Sequence, residues 1–559
     1  MTNKSVARRL KLTADLIELT GGNPFRARAF ASGARAVERL DVPLDQLVAE
    51  GLLTEVQGIG KGLAADIREL ISTGELAITE RLLQALPPGL PDVLRVHGLG
   101  VKKVKTLWND AGVTSLDELE MAAASGRLAQ LDGFGAKTVQ NLLASVEELR
   151  AYQGQAHLRD AFREAIVLRQ ALDNAGFRAS LAGAVRRQCN VVDAVDLVST
   201  GTAHDVANAL VDLGLVVGST TDEAVVTATP LGVPLTVWLA DEATFGRTLF
   251  ERTASEAHLA AFRDAYGEPA GTSEEDDVYR AVGLSPIPPP LREGTDELAL
   301  AATSSLPELM TRRDLRGTVH NHTTWSDGAH TLRQMCEGAR ERGLSYFGVC
   351  DHSRSLKIAQ GLTIDQLKAQ RAEIDAVNTE YGEQGIDFRV FAGSEVDILS
   401  DGSMDYPDDV LASLDLVVAS VHTGFRMSVD EATARLVQAV SNPYVDILGH
   451  PTGRLLLRRK GYPIDAEAVL DACAEHDVAV ELNANPWRLD LDWTFLRAAT
   501  ERGVLVSINP DAHAIDGLDD TRWGVASAQK GGLTAAQSLT SKSAHELADW
   551  LADRRPAMP

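Results

Sequence analysis

The sequence VHNHTTWSDG (residues 319–328) places two histidines two positions apart at the end of a short β-rich run. Further β-rich runs follow at intervals and are separated by stretches with helical periodicity: YFGVCDH, FRVFAGSEVDIL, LDLVVASVH, VDILGH, VAVELNAN and VLVSINPDAH. Strand-like and helical segments that alternate in this way predict a parallel sheet or a barrel of βα units over residues 313–559.

Nearly every one of these runs ends in a residue type that binds metal ions. The carboxyl ends of parallel strands converge on one face of such a fold, so residues far apart in the chain can meet there. Residues two apart on a strand, such as His320 and His322, project from the same side. The candidate ligands are His320, His322, Asp327, His352, Glu395, His422, His450, Asp511 and His513.

The size of this set predicts more than one metal ion. A single histidine at a strand end is more often structural, but six histidines with three carboxylates exceed the needs of one four-coordinate ion. Nitrogen and oxygen ligands without thiolates fit two or three divalent ions, with Mn²⁺ or Zn²⁺ favoured and Fe²⁺ also compatible. Ions of this kind polarise a phosphoryl oxygen and lower the pKa of bound water, which indicates phosphoester hydrolysis.

A second pattern, Gly-hydrophobic-Gly followed by a basic residue and a helix, occurs three times in the first 150 residues: QGIGKGLAADI (57–67), HGLGVKKVKTL (97–107) and DGFGAKTVQNL (132–142). Two helices around a glycine turn present backbone N–H groups and a helix N-terminus to a phosphate. The repeat predicts binding to the DNA backbone without sequence preference. The candidate contacts are Gly58, Gly60, Lys61, Gly98, Gly100, Lys102, Lys103, Gly133, Gly135 and Lys137.

Composition narrows the classes that remain. The 559 residues are 45% hydrophobic and 24% charged, which is typical of a globular protein of several domains. The net charge of −25 argues against a protein that coats nucleic acid with its whole surface. The four cysteines show no CxxC spacing, which favours a reducing cytoplasm. No apolar leader or spanning segment is present, so no membrane partner is expected. The predicted DNA binding adds an association with the nucleoid.

The C-terminal constellation resembles that of a PHP (polymerase and histidinol phosphatase) domain. The resemblance implies a distorted (β/α)₇ barrel with a trinuclear metal cluster. In that family's scheme one ion takes His320, His322, Glu395 and Asp511, a second takes Glu395, His422 and His450, and a third takes Asp327, His352 and His513. Glu395 would bridge two of them.

Two central segments, GAVRRQCNVVDAVDLV (183–198) and TFGRTLF (244–250), together with the glycine repeats, resemble a bacterial family X DNA polymerase that carries a C-terminal PHP domain. The resemblance covers essentially the whole chain and implies a multidomain α+β fold. Its parts are a helical 8-kDa-like domain with one helix-hairpin-helix (1–85), a helical fingers-like domain with two more (86–150), a nucleotidyltransferase-like palm and thumb (151–295), a linker (296–312) and the PHP domain (313–559).

The polymerase site that this resemblance implies is incomplete in the sequence. Arg186 and Arg187 match the two arginines that hold a nucleotide triphosphate, and Asp196 matches one of three metal-binding carboxylates, but Ala194 and Thr236 replace the other two. One carboxylate binds Mg²⁺ weakly at best, so we expect nucleotidyl transfer to be weak or absent. A bulge that turned Asp193 towards Asp196 would rescue the site.

The segment NPFRARAFASGARAVERL (23–40) resembles the 8-kDa domain, which in some family members cleaves abasic sites through a Schiff-base lysine. Asp66 stands at the position expected for that lysine, so this β-elimination is not expected. Lys61 is nearby and is assigned to phosphate contact instead.

The sequence therefore predicts a DNA-repair enzyme of the family X polymerase type that acts on gapped or 3′-ended DNA. It gives no indication of a protein partner. Its activity would be a metal-dependent 3′–5′ exonuclease or 3′-end phosphodiesterase, with phosphate clamps among Arg354, Arg426 and Arg454. Three alternatives stay open: a gap-filling polymerase with an unusual metal site, a phosphatase for small phosphate monoesters, and a non-catalytic DNA-binding scaffold.

Overall fold

The computed structural model describes residues 3–38, 40, 44–74, 76–96 and 98–555, and the chain forms two compact units, Met1–Gln153 and Gly154–Pro559. The first unit is helical. Its apolar side chains form one cluster within residues 6–76 and another drawn mainly from residues 86–146. Its helices are α1 (Asn3–Leu19), α2 (Pro24–Glu38), α3 (Leu44–Ala49), α4 (Lys61–Thr73), α5 (Ala77–Gln84), α6 (Leu90–Arg95), α7 (Val101–Ala111), α8 (Leu116–Ala124) and α9 (Ala136–Ala151).

The second unit begins with a mixed five-stranded sheet in the order β2-β4-β7-β6-β5, in which only β4 and β7 run parallel. Helix α10 packs its apolar face against this sheet. The elements are β1 (Ala156–His157), α10 (Leu158–Asn174), β2 (Ala179–Ala182), α11 (Gly183–Arg186), β3 (Val191–Val192), β4 (Val195–Ser199), α12 (Ala203–Asp212), β5 (Ser219–Thr220), β6 (Ala224–Ala228) and β7 (Pro234–Leu239).

A helical segment follows the sheet and includes the predicted linker. It comprises α13 (Phe245–Thr253), α14 (Glu256–Tyr266), α15 (Glu275–Arg280), a 3-10 turn (Pro289–Leu291) and α16 (Glu297–Ala302). Residues 296–312 are folded rather than free, because the buried Glu297 carboxylate lies 2.5 Å from His258 Nδ1 and Met310 is also buried. The predicted linker therefore packs against neighbouring residues of this unit.

The C-terminal region is a seven-stranded parallel sheet in the order β8 to β14, wrapped by helices. Its elements are β8 (Gly317–Thr318), α17 (Leu332–Glu341), β9 (Tyr346–Val349), α18 (Ile364–Glu383), β10 (Arg389–Asp397), α19 (Asp408–Leu411), β11 (Leu416–Ser420), α20 (Val429–Val440), β12 (Ile447–Leu448), α21 (Ala466–Glu475), β13 (Ala479–Asn483), α22 (Trp493–Glu501), β14 (Val506–Asn509), α23 (Thr521–Lys530) and α24 (Ala544–Arg554).

The sheet closes on itself beyond the ends of its first and last strands. Asn321 pairs with Ala512 in a parallel bridge, and the His322 N–H donates to the Ala512 carbonyl over 2.9 Å. Small 3-10 turns at Arg312–Asp314, Lys357–Ala359, Ile515–Asp520, Ala535–Gln537 and Leu539–Ser541 complete the region. This near-closed barrel confirms the predicted βα architecture.

The palm-like sheet and the barrel share one hydrophobic cluster. Leu489 and Trp523 of the barrel belong to the cluster that α10 builds, and the Phe162 and Trp523 rings meet edge to face with centroids 5.8 Å apart. None of the described helices is long and apolar enough to span a bilayer.

Candidate metal centre and nucleic-acid interface

The strand ends of the barrel bring the predicted ligands together around Glu395, near the end of β10. Its carboxylate lies within 4 Å of ring nitrogens from five histidines. The distances are 3.4 Å to His320, 3.7 Å to His322, 2.8 Å to His352, 3.1 Å to His422 and 2.9 Å to His450. Both oxygens of Glu395 take part, which is the geometry that a bridging carboxylate requires.

The remaining ligands form a second group beside the first. Asp327 Oδ1 lies 3.5 Å from His352 Nε2 and 3.3 Å from His513 Nε2, and Asp511 Oδ1 lies 3.1 Å from His322 Nε2. The His322 ring stacks against the rings of both His352 and His513, with centroids 4.4 and 4.0 Å away. Geometry thus places His322 with the third set of ligands as well as with the first.

Several polar residues that the sequence analysis did not single out orient these ligands. His320 Nδ1 lies 2.7 Å from Glu481 on β13, His422 Nδ1 contacts Asp397, and Asn483 donates to Asp511 over 3.1 Å. Hydrogen bonds of this kind fix the ring orientation of a ligating histidine. Asp397 follows Glu395 by two positions on the same strand, and that spacing was a signal for it.

The electrostatics prepare part of the cluster for ligation and leave part of it protonated. Burial opposes the charge on Glu395, but His422, His320 and His352 outweigh it and hold the pKa of this carboxyl well below its usual range. Burial, with the neighbouring His513 and His352, lowers the pKa of His322 to about 3, so this imidazole is neutral. Ionised carboxylates and neutral imidazoles are the protonation states that bind a metal ion. Burial opposes a charge on His422, but Glu395 and Asp397 raise its pKa to about 10, so a metal ion would have to displace this proton.

The cluster also leaves polar atoms for which the described chain supplies no hydrogen bond. His320 Nε2 and Glu395 Oε2 are buried, point into the cluster and are unsatisfied. A buried polar atom without a partner carries a free-energy cost that a coordinated cation would remove. The described residues contain three sets of ligand-type side chains, and within each set the donor atoms lie within 4.8 Å of one another. The residues present therefore fit the binding of divalent ions.

The three arginines predicted as phosphate clamps differ in their surroundings. Arg454 is half-buried and donates to Asp492 and to the Arg488 carbonyl, so its guanidinium holds a loop in place. Arg354 is half-exposed and donates to the Asp405 carbonyl over 2.6 Å. Arg426 is exposed.

The residues assigned to the polymerase site lie on β4 and β7 of the palm-like sheet. Asp196 stands directly beside Thr236 in the parallel pairing, the register expected for a missing carboxylate. The Trp238 indole N–H donates to Asp196 over 2.9 Å, and Arg252 stacks on the Trp238 ring. Burial raises the pKa of Asp196 although Trp238 and Arg252 oppose this. Asp193 lies exposed in the bend between β3 and β4.

Both palm arginines are bound by carboxylates of the protein itself. Arg186 makes two hydrogen bonds of 2.6 Å to the Glu275 carboxylate, and the buried Arg292 donates to the same carboxylate. Arg187 donates to Glu293 over 2.8 Å. These partners lie about a hundred residues downstream, so sequence reasoning had no means of finding them.

The three glycine turns have one geometry. The first glycine of each has a positive φ, which glycine adopts without strain: Gly58 (98°), Gly98 (89°) and Gly133 (83°). The apolar residue between the glycines is buried, namely Ile59, Leu99 and Phe134. The second glycine directly precedes a helix and lies exposed: Gly60 before α4, Gly100 before α7 and Gly135 before α9.

The basic residues of the turns are distributed unevenly. Lys61, Lys102 and Lys137 are exposed near the start of their helices, whereas Lys103 is half-buried and donates to the Gly98 carbonyl over 3.3 Å. No side chain caps the helices that start after these glycines, so their first N–H groups face outwards. Asp66, at the position of the family's lysine, lies 3.7 Å from Arg26.

Family models match three parts of the chain. A helix-hairpin-helix domain matches residues 1–76, a SAM-like helix-hairpin-helix tandem matches residues 90–148, and the PHP domain matches residues 318–485. The fold and these matches define a DNA-binding metal-dependent hydrolase.

Whole-chain similarity is more specific. The chain is 35% identical to the DNA polymerase/3′-5′ exonuclease PolX of Bacillus subtilis, over 99% of both sequences. It is also 32% identical to a probable phosphatase of Thermoanaerobacter sp. (strain X514), over 35% of this chain and 77% of that protein. The chain therefore belongs to the bacterial family X DNA polymerases that carry a C-terminal PHP domain.

Proposed function

We propose that this protein is a DNA-repair nuclease that removes nucleotides from gapped or 3′-ended DNA through its C-terminal barrel, with a palm that is weak or inactive as a polymerase. The observation that carries the proposal is the convergence of nine ligand-type side chains at the barrel mouth, in a chain whose first unit matches helix-hairpin-helix models. The similarity to a relative named as a 3′-5′ exonuclease supports it. A role on chromosomal DNA places the protein at the nucleoid in the cytoplasm.

We assign two or three ions, Mn²⁺ or Zn²⁺, to the nine ligands, with Glu395 as the bridge. Bound there, the ions would activate water and neutralise charge at the scissile phosphodiester. The chain's own task is to hold the ligands in place. Glu481 orients His320 and Asp397 orients His422, so the imidazoles keep their direction in the absence of substrate.

The contacts of Arg186, Arg187 and Asp196 support the proposal that the palm is weak or inactive as a polymerase. A dNTP would have to displace Glu275 from Arg186 and Glu293 from Arg187 before either guanidinium could hold its triphosphate. Asp196 is capped by Trp238 and has no second carboxylate on the neighbouring strand, where Thr236 stands. We therefore infer that Mg²⁺ binds poorly in the palm and that this region supports the barrel.

The first test is a labelled primer–template assay with Mn²⁺, with and without dNTPs. It compares the wild-type protein with the double variant His320→Ala/His322→Ala and with Asp196→Ala. We expect the primer to shorten, to remain intact with the histidine variant, and to be shortened normally by Asp196→Ala. Primer extension that Asp196→Ala abolishes would establish the second candidate, an active gap-filling polymerase, which the name of the Bacillus subtilis relative favours.

A third candidate is hydrolysis of small phosphate monoesters, which the similarity of the barrel to probable phosphatases favours. It predicts turnover of such esters with no action on DNA 3′ ends. The helix-hairpin-helix domains favour the nuclease, because a small substrate needs no grip on a DNA backbone.

A further inference from the structure

The loop between β9 and α18, residues 353–362, lies at the mouth of the metal centre. It directly follows the candidate ligand His352, and βα loops of a parallel barrel gather on the face where the strands end. The Leu362 N–H donates to the His352 carbonyl over 2.8 Å, so both ends of the loop are fixed at the ligand itself.

The loop is rigid at its base. Ser353 accepts from the Asp397 N–H over 2.9 Å, and the Ser355 N–H donates to Asp405 over 2.8 Å. Ala359 and Leu362 are buried beneath it. The Ser355 hydroxyl also donates to the Asp397 carboxylate, which contacts the candidate ligand His422.

Its tip presents an apolar side chain to solvent. Ile358 is 93% exposed, the largest exposure among the large hydrophobic residues of the described chain. Two exposed cations, Arg354 and Lys357, precede it in the same loop of a protein of net charge −25, and Arg354 lies 3.3 Å from Asp405. Single exposed apolar residues are common on protein surfaces. This one is distinguished by its place in a loop that carries two cations and directly follows a candidate metal ligand.

The burial of the candidate metal ligands limits how a paired DNA end can reach them. Glu395 is 1% exposed and His320 is fully buried, whereas Asp327 and His513, nearer the mouth, are about one third exposed. A base-paired 3′ end cannot pass into a centre whose ligands are buried, so the last nucleotides must separate from the template strand first. Apolar wedges such as isoleucine unstack base steps in other DNA-binding proteins.

We propose that Ile358 is a strand-separating wedge that stacks on the terminal base pair while Arg354 and Lys357 attract the backbone, which makes it a positioning residue for paired 3′ ends. The proposal rests on the proposed nuclease function. Its consequence is a substrate preference: Ile358 matters when the 3′ end is paired and is dispensable when the end is already single-stranded.

The test measures the rate of nucleotide removal from one labelled strand, presented alone, in a blunt duplex, and in a duplex with a mismatched 3′ tail. The variants are Ile358→Ala, Ile358→Leu as the conservative rescue, and Val216→Ala as the control, since Val216 is β-branched and 85% exposed on the palm-like region. Full-length protein with Mn²⁺ is used throughout.

We expect Ile358→Ala to lower the rate on the blunt duplex about fivefold, as loss of one stacking contact predicts, and to leave the single strand and the mismatched tail unchanged. Ile358→Leu should restore the wild-type ratio of paired to unpaired rates, and Val216→Ala should not alter it. An equal rate change on all three DNAs, or none, overturns the wedge. Wild-type protein that digests none of them overturns the nuclease function, and the wedge with it.

Discussion

At the scale of single residues, Asp397 shows how a side chain outside the ligand set can control the metal centre. It contacts Nδ1 of His422 and accepts from Ser355 of the neighbouring loop, so one carboxylate links a ligand to the barrel mouth. Removing such a partner leaves the ligand present but free to rotate.

We therefore expect Asp397→Asn to weaken Mn²⁺ binding or metal-dependent hydrolysis by about 10- to 100-fold. Isothermal titration with Mn²⁺ and a hydrolysis assay measure the two effects. The matched control is Asp401→Asn. Asp401 lies four residues after Asp397, is exposed, and contacts the Ser403 hydroxyl. Equal behaviour of the two variants would contradict the role given to Asp397.

A second residue-scale prediction concerns Glu275, which joins Arg186 and Arg292. Burial opposes its charge, but the two arginines prevail and lower its pKa to about 2 from a usual value of 4.5. A carboxyl with a depressed folded-state pKa contributes stability above its unfolded-state pKa and loses it as the pH falls towards the folded-state value. Its contribution is thus complete above about pH 5 and declines between pH 4.5 and 2.

Glu275→Gln should lower stability at pH 7 by about 3 kcal/mol, because two guanidinium groups lose their carboxylate. Thermal unfolding followed by circular dichroism, from pH 7 down to pH 3, measures the difference from wild type. We expect that difference to shrink at the acid end. A difference that stays constant with pH would show that the ion pair does not provide it. Glu274→Gln, an exposed neighbour paired with Arg178, is the control.

At the scale of elements, we expect the three glycine turns to act as separate anchors for phosphate. Each exposes a helix N-terminus, and each carries at least one exposed lysine. Binding of this kind neutralises phosphates one by one and releases counterions, so the affinity falls steeply with salt.

Lys102→Glu should weaken DNA binding equally for unrelated sequences and reduce the slope of log affinity against log salt by about 1. Fluorescence anisotropy with two duplexes of different sequence, over a range of salt, measures both. Lys11→Glu is the control, because Lys11 already pairs with Asp15 on α1. Addition of EDTA should leave the affinity unchanged, since the turns need no metal; a large loss would place the main DNA contact at the barrel.

The candidate ligands, the glycine turns and the long-range ion pairs differ in how far the sequence predicts them. The nine candidate ligands were recognisable because each is tied to a strand end by local pattern, and parallel strands converge. The turns were recognisable because glycine is needed at positive φ. The partners of Arg186 and Arg187 were not, because a long-range ion pair leaves no periodicity in the chain. The contacts of the predicted linker at 296–312, such as Glu297 with His258, leave no periodicity either.

At the scale of the whole molecule, the palm-like sheet and the barrel behave as one body. Lys530 at the end of α23 is almost fully buried, pairs with Glu293 and donates to the Arg187 carbonyl over 3.2 Å. Glu293 is also the partner of Arg187, so this single carboxylate connects a palm arginine to a barrel lysine.

Glu293→Gln should leave the Lys530 ammonium buried without its counter-charge and destabilise the second unit by about 3 kcal/mol. Differential scanning calorimetry measures the effect. We expect palm and barrel to melt together at a lower temperature than in wild type, because they share a hydrophobic cluster. Melting of the two regions in separate transitions would contradict this coupling. Glu268→Gln, an exposed carboxylate paired with Arg263, is the control.

The closure of the barrel between Asn321 and Ala512 has a consequence for biosynthesis. The ribosome makes the glycine turns first, whereas the ligands Asp511 and His513 and the last strand β14 emerge long after His320 has left the exit tunnel. A nascent chain that stalls before β14 therefore contains the three glycine turns but lacks Asp511 and His513 of the candidate metal centre. Such a fragment would keep the part of the chain that resembles DNA-binding domains while lacking two of the candidate metal ligands.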